Sequence, residues 1–271
     1  IIGHPGKFQH KVDFQEMAEK VRNGLIESDV LLENVGGKYV DITRESKIVE
    51  YGYGLGLAIT DINLDGYPDI IVCNDFDEPD HLFVNQQNNT FKDENLSIFK
   101  HTSNYSMGND VGDFNNDGLL DYISVDMAFD SHERSKTNMA SMDLEKFYAR
   151  VQLGWGYQYM HNMLHLNNGD GSYSEIAQLA GVHKTDWSWT SLFADFDNDG
   201  DMDVLYASRY NISWSENTGG GGFGSEQIIL SYGGGFVYFS SAFLADFNND
   251  GFEDFVTGAP DNNGSAGVAY I

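Results

Sequence analysis

The sequence predicts an all-β fold, a β-propeller of four-stranded antiparallel blades, on the strength of three observations. An acidic nine-residue motif occurs four times, short apolar stretches flank each copy, and a second, Asn-centred element recurs at a nearly fixed distance from the motif. Repeats of about 50 residues that hold four short strands each are typical of propeller blades. We therefore expect residues 1–271 to form a single propeller domain or a segment of one.

The acidic motif has the pattern D-x-[DN]-x-D-G-x-x-D. Its first aspartates are 52, 82 and 51 residues apart, so the long middle interval predicts an insertion around 126–160. The apolar spacing within SKTNMASMDLEKFYARVQL, and within DFQEMAEKVRNGL near the N-terminus (13–25), predicts a helical insertion and an N-terminal helix. The four copies are DINLDGYPD (61–69), DFNNDGLLD (113–121), DFDNDGDMD (195–203) and DFNNDGFED (246–254).

The residues around each motif predict strands. An apolar residue stands two places before each copy, and from the last Asp run the β-type stretches DIIVC, DYISV, DVLYA and DFVTG. This pattern indicates two strands joined by a tight acidic loop. Eight places before each motif stands an aromatic residue: Tyr53, Tyr105, Trp187 and Tyr238.

The second element predicts the outer hairpin of each blade. Four asparagines each open a turn that closes on an aromatic residue, and the next acidic motif follows 27, 28, 28 and 29 residues after the Asn. The pairs are Asn34 with Tyr39, Asn85 with Phe91, Asn167 with Tyr173, and Asn217 with Phe223. The blade-like units are then 29–42 (partial), 53–99, 105–175 with the insertion, 187–228 and 238–271 (partial). Two arrangements stay open: the ends complete one ring, or the chain is cut from a larger propeller.

Composition limits the classes of function. With 42 acidic and 15 basic residues the net charge is −27, which argues against a nucleic-acid partner. No run of about 18 apolar residues exists, so no membrane span is expected. Ile1 opens the chain without a signal-peptide pattern, which indicates a mature or truncated segment. The single Cys73 excludes an intrachain disulfide and is expected to be a small buried residue.

The acidic motifs predict four calcium sites, one per loop. Calcium takes six to eight oxygen ligands. In a tight loop the side chains at positions 1, 3 and 5 converge, and glycine at position 6 permits the sharp reversal of the chain. The residue at position 7 then offers its backbone carbonyl as a further ligand. An EF-hand is excluded, because position 12 holds Val72, Ser124, Tyr206 or Thr257 in place of Glu, and strands flank the loop. The fourth side chain comes from position 9 instead: Asp69, Asp121, Asp203 and Asp254.

Other constellations point to no catalytic site. His161 and His165 in HNMLH lack the Glu of a zincin motif and read as part of a strand. No nucleophile elbow or phosphate-binding loop is present, so we expect no enzyme. The aromatic residues Trp155, Tyr157, Tyr159, Trp187 and Trp189 could line a sugar site, but packing between blades or against the insertion is the favoured interpretation.

The repeated unit resembles the FG-GAP, or VCBS-type, repeat of integrin α-subunit propellers. The copy at 247–271 is most similar, since Gly258-Ala259-Pro260 matches the GAP element. Residues 31–210 resemble the cartilage-acidic-protein-like (UnbV-associated) propellers of secreted bacterial proteins. These resemblances imply a seven-bladed or similar propeller, calcium-binding loops, and an extracellular, cell-surface or periplasmic location.

Carried over by position, the resemblance implies a ligand set for each loop. The favoured function is a calcium-binding scaffold for adhesion or protein–protein interaction, with a protein or glycan ligand. A lectin-like carbohydrate-binding module and a propeller-based polysaccharide-degrading enzyme are the alternatives. The implied ligands are the side chains of Asp61, Asn63, Asp65, Asp69, Asp113, Asn115, Asp117, Asp121, Asp195, Asp197, Asp199, Asp203, Asp246, Asn248, Asp250 and Asp254, with the carbonyls of Tyr67, Leu119, Asp201 and Phe252.

Overall fold

The computed structural model describes residues 29–48, 50, 52–76, 78–137, 142–208, 210–231, 241–248, 254–259 and 268–270. The chain divides into two compact units, Ile1–Tyr51 and Gly52–Ile271. In the first unit, β1 (Leu32–Val35) and β2 (Lys38–Asp41) form an antiparallel hairpin that pairs Asn34 with Tyr39. The sequence-predicted helix at 13–25 lies outside the described residues.

The second unit is built from antiparallel sheets, which confirms the all-β prediction. Sheets 1 to 3 have four strands each, and sheet 4 has three described strands. Sheet 1 holds β3 (Tyr53–Thr60), β4 (Asp69–Asp75), β5 (His81–Asn85) and β6 (Phe91–Asp93). Sheet 2 holds β8 (Ser106–Gly112), β9 (Asp121–Asp126), β11 (Met163–Asn167) and β12 (Tyr173–Glu175). Sheet 3 holds β13 (Ser188–Ala194), β14 (Asp203–Ser208), β15 (Asn211–Ser215) and β16 (Gln227–Ser231); sheet 4 holds β17 (Ser241–Ala245), β18 (Asp254–Ala259) and β19 (Val268–Tyr270).

Helices are short and lie between strands. Two of them lie in the insertion between β9 and β11, so its helical character is confirmed, and β7 (His101–Ser103) pairs in parallel with β10 (Tyr157–Tyr159) beside it. Asp143 caps the longer insertion helix by accepting bonds from Glu145 N and Lys146 N, and Phe147 packs against Tyr157 and Tyr159. The helices are α1 (Asn95–Ile98), α2 (His132–Thr137), α3 (Leu144–Gln152) and α4 (Ala177–Ala180).

Successive sheets pack through their first strands. Strand β3 contacts β8, β8 contacts β13, and β13 contacts β17. The backbones approach most closely at Gly108, where an added Cβ would lie 2.5 Å from Trp189 O, so only glycine fits. Strands β3, β8 and β13 each carry a register shift at the same place in the repeat, which re-aims the residues beyond it.

Each seam between sheets has its own apolar core. Ile71, Leu82 and Phe99 of the sheet 1 side pack with Tyr122 of sheet 2, and Cys73 is buried among them as predicted. Between sheets 2 and 3 the core contains Phe114, Leu164, Phe193 and Val204, among others, and between sheets 3 and 4 it contains Leu205, Ile212 and Ala242. Because the cores lie between sheets, each sheet depends on its neighbours for burial of its faces.

Candidate metal centre

The acidic motifs form the loops between the first and second strands of the sheets. We call residues 61–69, 113–121, 195–203 and 246–254 loops 1 to 4. Loops 1 to 3 are described in full. In loop 4, Asp246, Asn248 and Asp254 are described, whereas Asp250 and Phe252 lie outside the described residues.

Loops 1 to 3 share one backbone conformation. Position 6 is a glycine with positive φ: Gly66 at 91°, Gly118 at 84° and Gly200 at 97°. Position 4 is left-handed as well, at φ of 57° to 63°, although it holds Leu64 in loop 1 and asparagines in loops 2 and 3. Asparagine tolerates this region, whereas a leucine has a steric cost there. The repeated sequence therefore specifies a repeated turn.

This turn aims backbone N–H groups at the carboxylates. In loop 1, Asp65 N and Gly66 N donate to the two oxygens of Asp61 at 2.9 and 2.7 Å, and Asp65 N also donates to Asn63 Oδ1 at 3.0 Å. Loops 2 and 3 repeat these bonds at 2.8–3.3 Å with Asp113, Asn115, Asp195 and Asp197 as acceptors. Side-chain oxygens from positions 1 and 3 are thereby held on the same side of the turn.

The ninth residue joins the loop to the third strand. Asp69 accepts from Ile62 N at 3.2 Å and from Asn85 N at 2.7 Å, while Asn85 Nδ2 donates to Pro68 O at 3.1 Å. In sheet 3, Asp203 accepts from Phe196 N at 2.9 Å and Asn217 N at 2.7 Å. In sheet 2, Asn167 N donates the corresponding bond to Asp121 Oδ1 at 2.8 Å. The recurring asparagine therefore donates its backbone N–H to the ninth residue of the acidic loop in its own sheet.

Sequence reasoning found this asparagine but missed its role. It predicted the turn correctly, since Asn85 pairs with Phe91, Asn167 with Tyr173 and Asn217 with Phe223. In each hairpin the asparagine Oδ1 accepts from the N–H two residues on, a role that aspartate could also fill. The signal that could have revealed the bond to the loop is that the residue is asparagine each time, because its Nδ2 needs an acceptor outside the turn. In all three sheets that amide donates to the carbonyl of the eighth loop residue, at 3.0–3.2 Å.

Oxygen atoms converge most clearly in loop 3. One carboxylate oxygen from each of Asp195, Asp197 and Asp203 lies within 4.8 Å of the other two. Two ligands of one calcium ion, each about 2.4 Å from it, lie at most about 5 Å apart. The three oxygens therefore have the spacing that a shared cation requires.

The aspartate at position 9 of each described loop lies in surroundings that disfavour its ionised form. Burial, with neighbouring loop carboxylates as a lesser cause, raises the pKa of Asp121 to about 7 and that of Asp203 to about 6. The pKa of Asp69 is raised for the same reasons, against the bonds from Asn85 N and Ile62 N. A cation beside these groups would favour the ionised form, so the donor set fits a hard divalent ion.

The loops are also linked across the seams. Asn116 of loop 2 donates through Nδ2 to Gly200 O at 3.1 Å and to Asp201 Oδ1 at 2.9 Å in loop 3. Asn217 Nδ2 reaches back to Phe114 O at 2.7 Å. The sequence predicted that Asp201 offers only its backbone carbonyl, but its side chain also accepts the hydrogen bond from Asn116. Loops 2 and 3 are therefore connected across the seam between sheets 2 and 3.

Sequence reasoning also missed buried acids away from the loops. Asp80 accepts from Asn74 N at 2.9 Å and Ser106 Oγ at 2.7 Å, and burial raises its pKa to about 7. Asp126 Oδ2 accepts from Ser103 Oγ and Tyr105 N, and burial raises its pKa to about 7 as well. No sequence motif identifies Asp80 and Asp126, because only the folded structure buries them and brings them to their partners.

A family model for the FG-GAP-like repeat matches residues 30–124, 150–206 and 195–257, well over half of the chain. The chain belongs to the FG-GAP-like repeat family. The matched segments contain all of loops 1 to 3 and most of the described strands. Membership confirms the resemblance that the acidic motifs carry.

The solved structures include an Agrocybe aegerita lectin described as specifically recognising non-reducing terminal N-acetylglucosamine. It is 18% identical, with a TM-score of 0.30, over 82% of this chain and 67% of the lectin chain. No curated protein matches the FG-GAP chain. Among the described residues, no helix is long and apolar enough to cross a membrane.

Proposed function

We propose that this FG-GAP chain is a calcium-stabilised β-propeller scaffold that works outside the cytoplasm in adhesion or protein–protein interaction, without enzymatic activity. The observation that carries the proposal is the repeated loop geometry, in which backbone N–H groups orient the carboxylates and the oxygens of Asp195, Asp197 and Asp203 converge. Three loops with the same turn, and with oxygen donors that differ only in Asp197 for asparagine at position 3, are the expected product of selection for one ligand.

In each loop, the side chains of positions 1, 3, 5 and 9 and the carbonyl of position 7 would hold the ion. A cation there would neutralise three or four carboxylates that otherwise repel one another. Since the ninth aspartate bonds the asparagine at the end of the third strand or just beyond it, the ion would help to hold three strands of a sheet together. Binding to the folded chain alone then stabilises the fold by mass action.

An exposed aromatic group supports the protein-interaction role. At the end of sheet 1 opposite the acidic loops, Phe76 is 52% exposed and Tyr53 is 48% exposed, with ring centroids 5.6 Å apart. Phe76 has φ of 70°, a costly conformation for an aromatic residue, and Arg150 Nη2 donates to its carbonyl at 3.4 Å. Aromatic anchors of this kind are enriched in protein interfaces.

Calcium binding is tested by thermal unfolding with calcium, with magnesium and with a chelator, together with elemental analysis of the purified protein. We expect calcium to raise the unfolding midpoint more than magnesium does. Asp195→Asn should reduce the shift, whereas Asp170→Asn, on an exposed hairpin outside the acidic loops, should leave it unchanged. An identical midpoint in calcium and in chelator, with no bound calcium, would refute the proposal.

A cavity favours carbohydrate binding as a second candidate. It has a volume of about 480 Å³ and is lined by His101, Tyr159, His161, Glu175 and residues of α4. Tyr159 stacks on His161, and Glu175 accepts a bond from Ala177 N at 2.6 Å, so the lining combines stacked aromatic rings with a fixed carboxylate. A glycan array tests it: Tyr159→Ala should abolish any binding, and Tyr157→Ala, outside the lining, should preserve it.

A further inference from the structure

Two side-chain amides join loops 2 and 3 across the seam between sheets 2 and 3. Asn116, at position 4 of loop 2, donates through Nδ2 to Gly200 O at 3.1 Å and to Asp201 Oδ1 at 2.9 Å. In the other direction, Asn217 of sheet 3 donates through Nδ2 to Phe114 O of loop 2 at 2.7 Å. Each loop is therefore bonded to the sheet that carries the other.

The bonds of Asn116 lie next to proposed ligands in both loops. Asn116 is left-handed, with φ of 58°, and stands between Asn115 and Asp117, the ligands at positions 3 and 5. Its acceptors belong to Gly200 and Asp201, and the carbonyl of Asp201 is the proposed ligand at position 7 of loop 3. The backbone order of loop 3 therefore acts directly on the ligands of loop 2.

Loop 2 also contains a buried carboxylate oxygen that a cation would satisfy. Asp121 is 0% exposed, and within the described part of the chain no hydrogen bond of good geometry reaches its Oδ2. The matching oxygens in loops 1 and 3 accept bonds from Ile62 N at 3.2 Å and from Phe196 N at 2.9 Å. Buried acceptors are rarely left unsatisfied in folded proteins, so this oxygen supports a ligand at loop 2.

Loops 1 and 2 differ from this arrangement, although they belong to the same repeat. Position 4 of loop 1 is Leu64, whose side chain has no hydrogen-bond donor. The asparagine of sheet 2, Asn167, donates through Nδ2 to Leu120 O and Tyr173 Oη, both within sheet 2. The Tyr173 hydroxyl donates to Leu120 O at 2.9 Å and lies 3.5 Å from Ile62 O. Among the described residues, loops 1 and 2 are thus without the amide link that joins loops 2 and 3.

We propose that loops 2 and 3 bind calcium cooperatively, each filled loop raising the affinity of the other, whereas loop 1 binds independently of loop 2. The inference rests on the proposed calcium binding and adds a coupling between two of its sites. When loop 3 is filled, the backbone at Asp201 is fixed, and with it both acceptors of Asn116. Asn116 then holds Asn115 and Asp117 in position, so less conformational entropy is lost when loop 2 binds its own ion. We expect a coupling of about fivefold, at the lower end of the usual range.

Charge acts in the opposite direction. Each bound calcium adds two positive charges, so a filled loop lowers the attraction of its neighbour for a second ion. Salt screens this repulsion over about 8 Å at physiological ionic strength, whereas hydrogen bonds between the loops are direct contacts. The coupling factor should therefore be at least as large at high salt as at low salt.

Site-resolved calcium titration by amide NMR measures the coupling. The glycine at position 6 of each loop donates its N–H to the first aspartate, so Gly66, Gly118 and Gly200 each report their own loop. Loop 2 is disabled by Asp113→Asn combined with Asp117→Asn, and the affinities of loops 1 and 3 are measured. Both neighbours sense the lost charges, but loop 3 should lose about fivefold more affinity than loop 1.

Asn116→Gly tests the link itself. Glycine adopts the left-handed conformation without strain, carries no donor and leaves the charge unchanged. In this background, disabling loop 2 should weaken loops 1 and 3 by the same factor. Leu64→Gly makes the matching change in loop 1 and should leave the fivefold difference intact. The reverse experiment, Asp195→Asn with Asp199→Asn, should weaken loop 2 through Asn116 by the same factor, because linkage is reciprocal.

The outcomes separate this inference from the proposed function. Glycine resonances that do not respond to calcium would refute calcium binding and the coupling with it. Calcium binding with equal losses at loops 1 and 3 in the wild-type background would leave the proposed function standing and overturn the cooperativity. A difference that persists in Asn116→Gly would overturn the assignment of the coupling to this residue. Circular dichroism verifies that each variant is folded.

Discussion

Arg134 Nη1 lies 2.6 Å from Asp186 Oδ2, so α2 of the insertion is tied to the segment that leads into sheet 3. Arg150 on α3 makes the matching bond to Asn104 Oδ1, in the segment that leads into sheet 2. Asn104 and Asp186 occupy the same place in the repeat, nine residues before the acidic motif. The insertion is therefore fastened by one arginine to the start of sheet 2 and by another to the start of sheet 3.

The two arginines should differ in their contribution to stability. Arg150 is buried, and replacement by Met leaves Asn104 Oδ1 and Phe76 O without this donor, at a cost of about 1–3 kcal/mol. The Arg134 side chain is 35% exposed and stays partly solvated, so Arg134→Met should cost less than Arg150→Met. Urea denaturation of both variants measures the difference; equal losses would contradict the assignment of Arg150 as the buried anchor.

Loop 1 contains a correctable conformational cost. Leu64 is left-handed and 55% exposed, and its counterparts Asn116 and Asn198 suit that conformation. Leu64→Asn should raise the free energy of unfolding by about 1 kcal/mol. The gain should persist in chelator, because Leu64 is not a proposed ligand. Leu144→Asn, at an exposed leucine of α3 that is not left-handed, is the control that should give no such gain.

Asp126 should make stability depend on pH. Its pKa in the folded chain is about 7, above the ordinary value, so its contribution is complete below about pH 4 and is lost as pH rises through 7. Asp126→Asn keeps an acceptor for Ser103 Oγ and Tyr105 N but does not titrate. Relative to wild type, the variant should gain about 1–3 kcal/mol between pH 5 and pH 8. A constant difference in unfolding free energy across this range would show that Asp126 is ionised throughout.

The extra carboxylate of loop 3 should have opposite effects with and without calcium. Asp197 stands where loops 1 and 2 have Asn63 and Asn115. Asp197→Asn should weaken calcium binding at loop 3 about tenfold, because one ligand charge is lost. In chelator the same variant should unfold at a higher temperature than wild type, because repulsion with Asp195 and Asp203 is relieved. Calorimetric titration and thermal unfolding measure the two effects; destabilisation in chelator would contradict the second.

The sequence predicted the repeated strands and missed the short helices and the partners of the insertion. The strands that begin at Asp69, Asp121, Asp203 and Asp254 follow from the motif and the apolar run behind it. Helices α1 and α4 have four residues each, too short for a helical period to be visible. The arginines of the insertion have no sibling in the sequence, so no pattern could indicate their partners.

The recurring asparagine shows why spacing alone misleads. In every repeat the asparagine lies 27 to 29 residues before the next acidic motif, because no insertion interrupts that stretch. Asn85 is one example. Its bonds go instead to Asp69 and Pro68 in the loop before it, across two antiparallel strands. In sheet 2 the insertion separates the two partners, so their distance along the chain varies although the contact does not. Sheet pairing depends on register, which sequence distance does not record.

The connection between the second and third strands shows where this scaffold accepts new sequence. In sheet 3 it spans only two residues, between Ser208 and Asn211, whereas in sheet 2 it runs from Asp126 to Met163 and contains two helices. It lies at the opposite end of the sheet from the acidic loops, so its growth leaves their turns intact. A foreign peptide grafted between Ser208 and Asn211 would therefore be displayed on a folded support, which makes this position a starting point for engineering a binding protein.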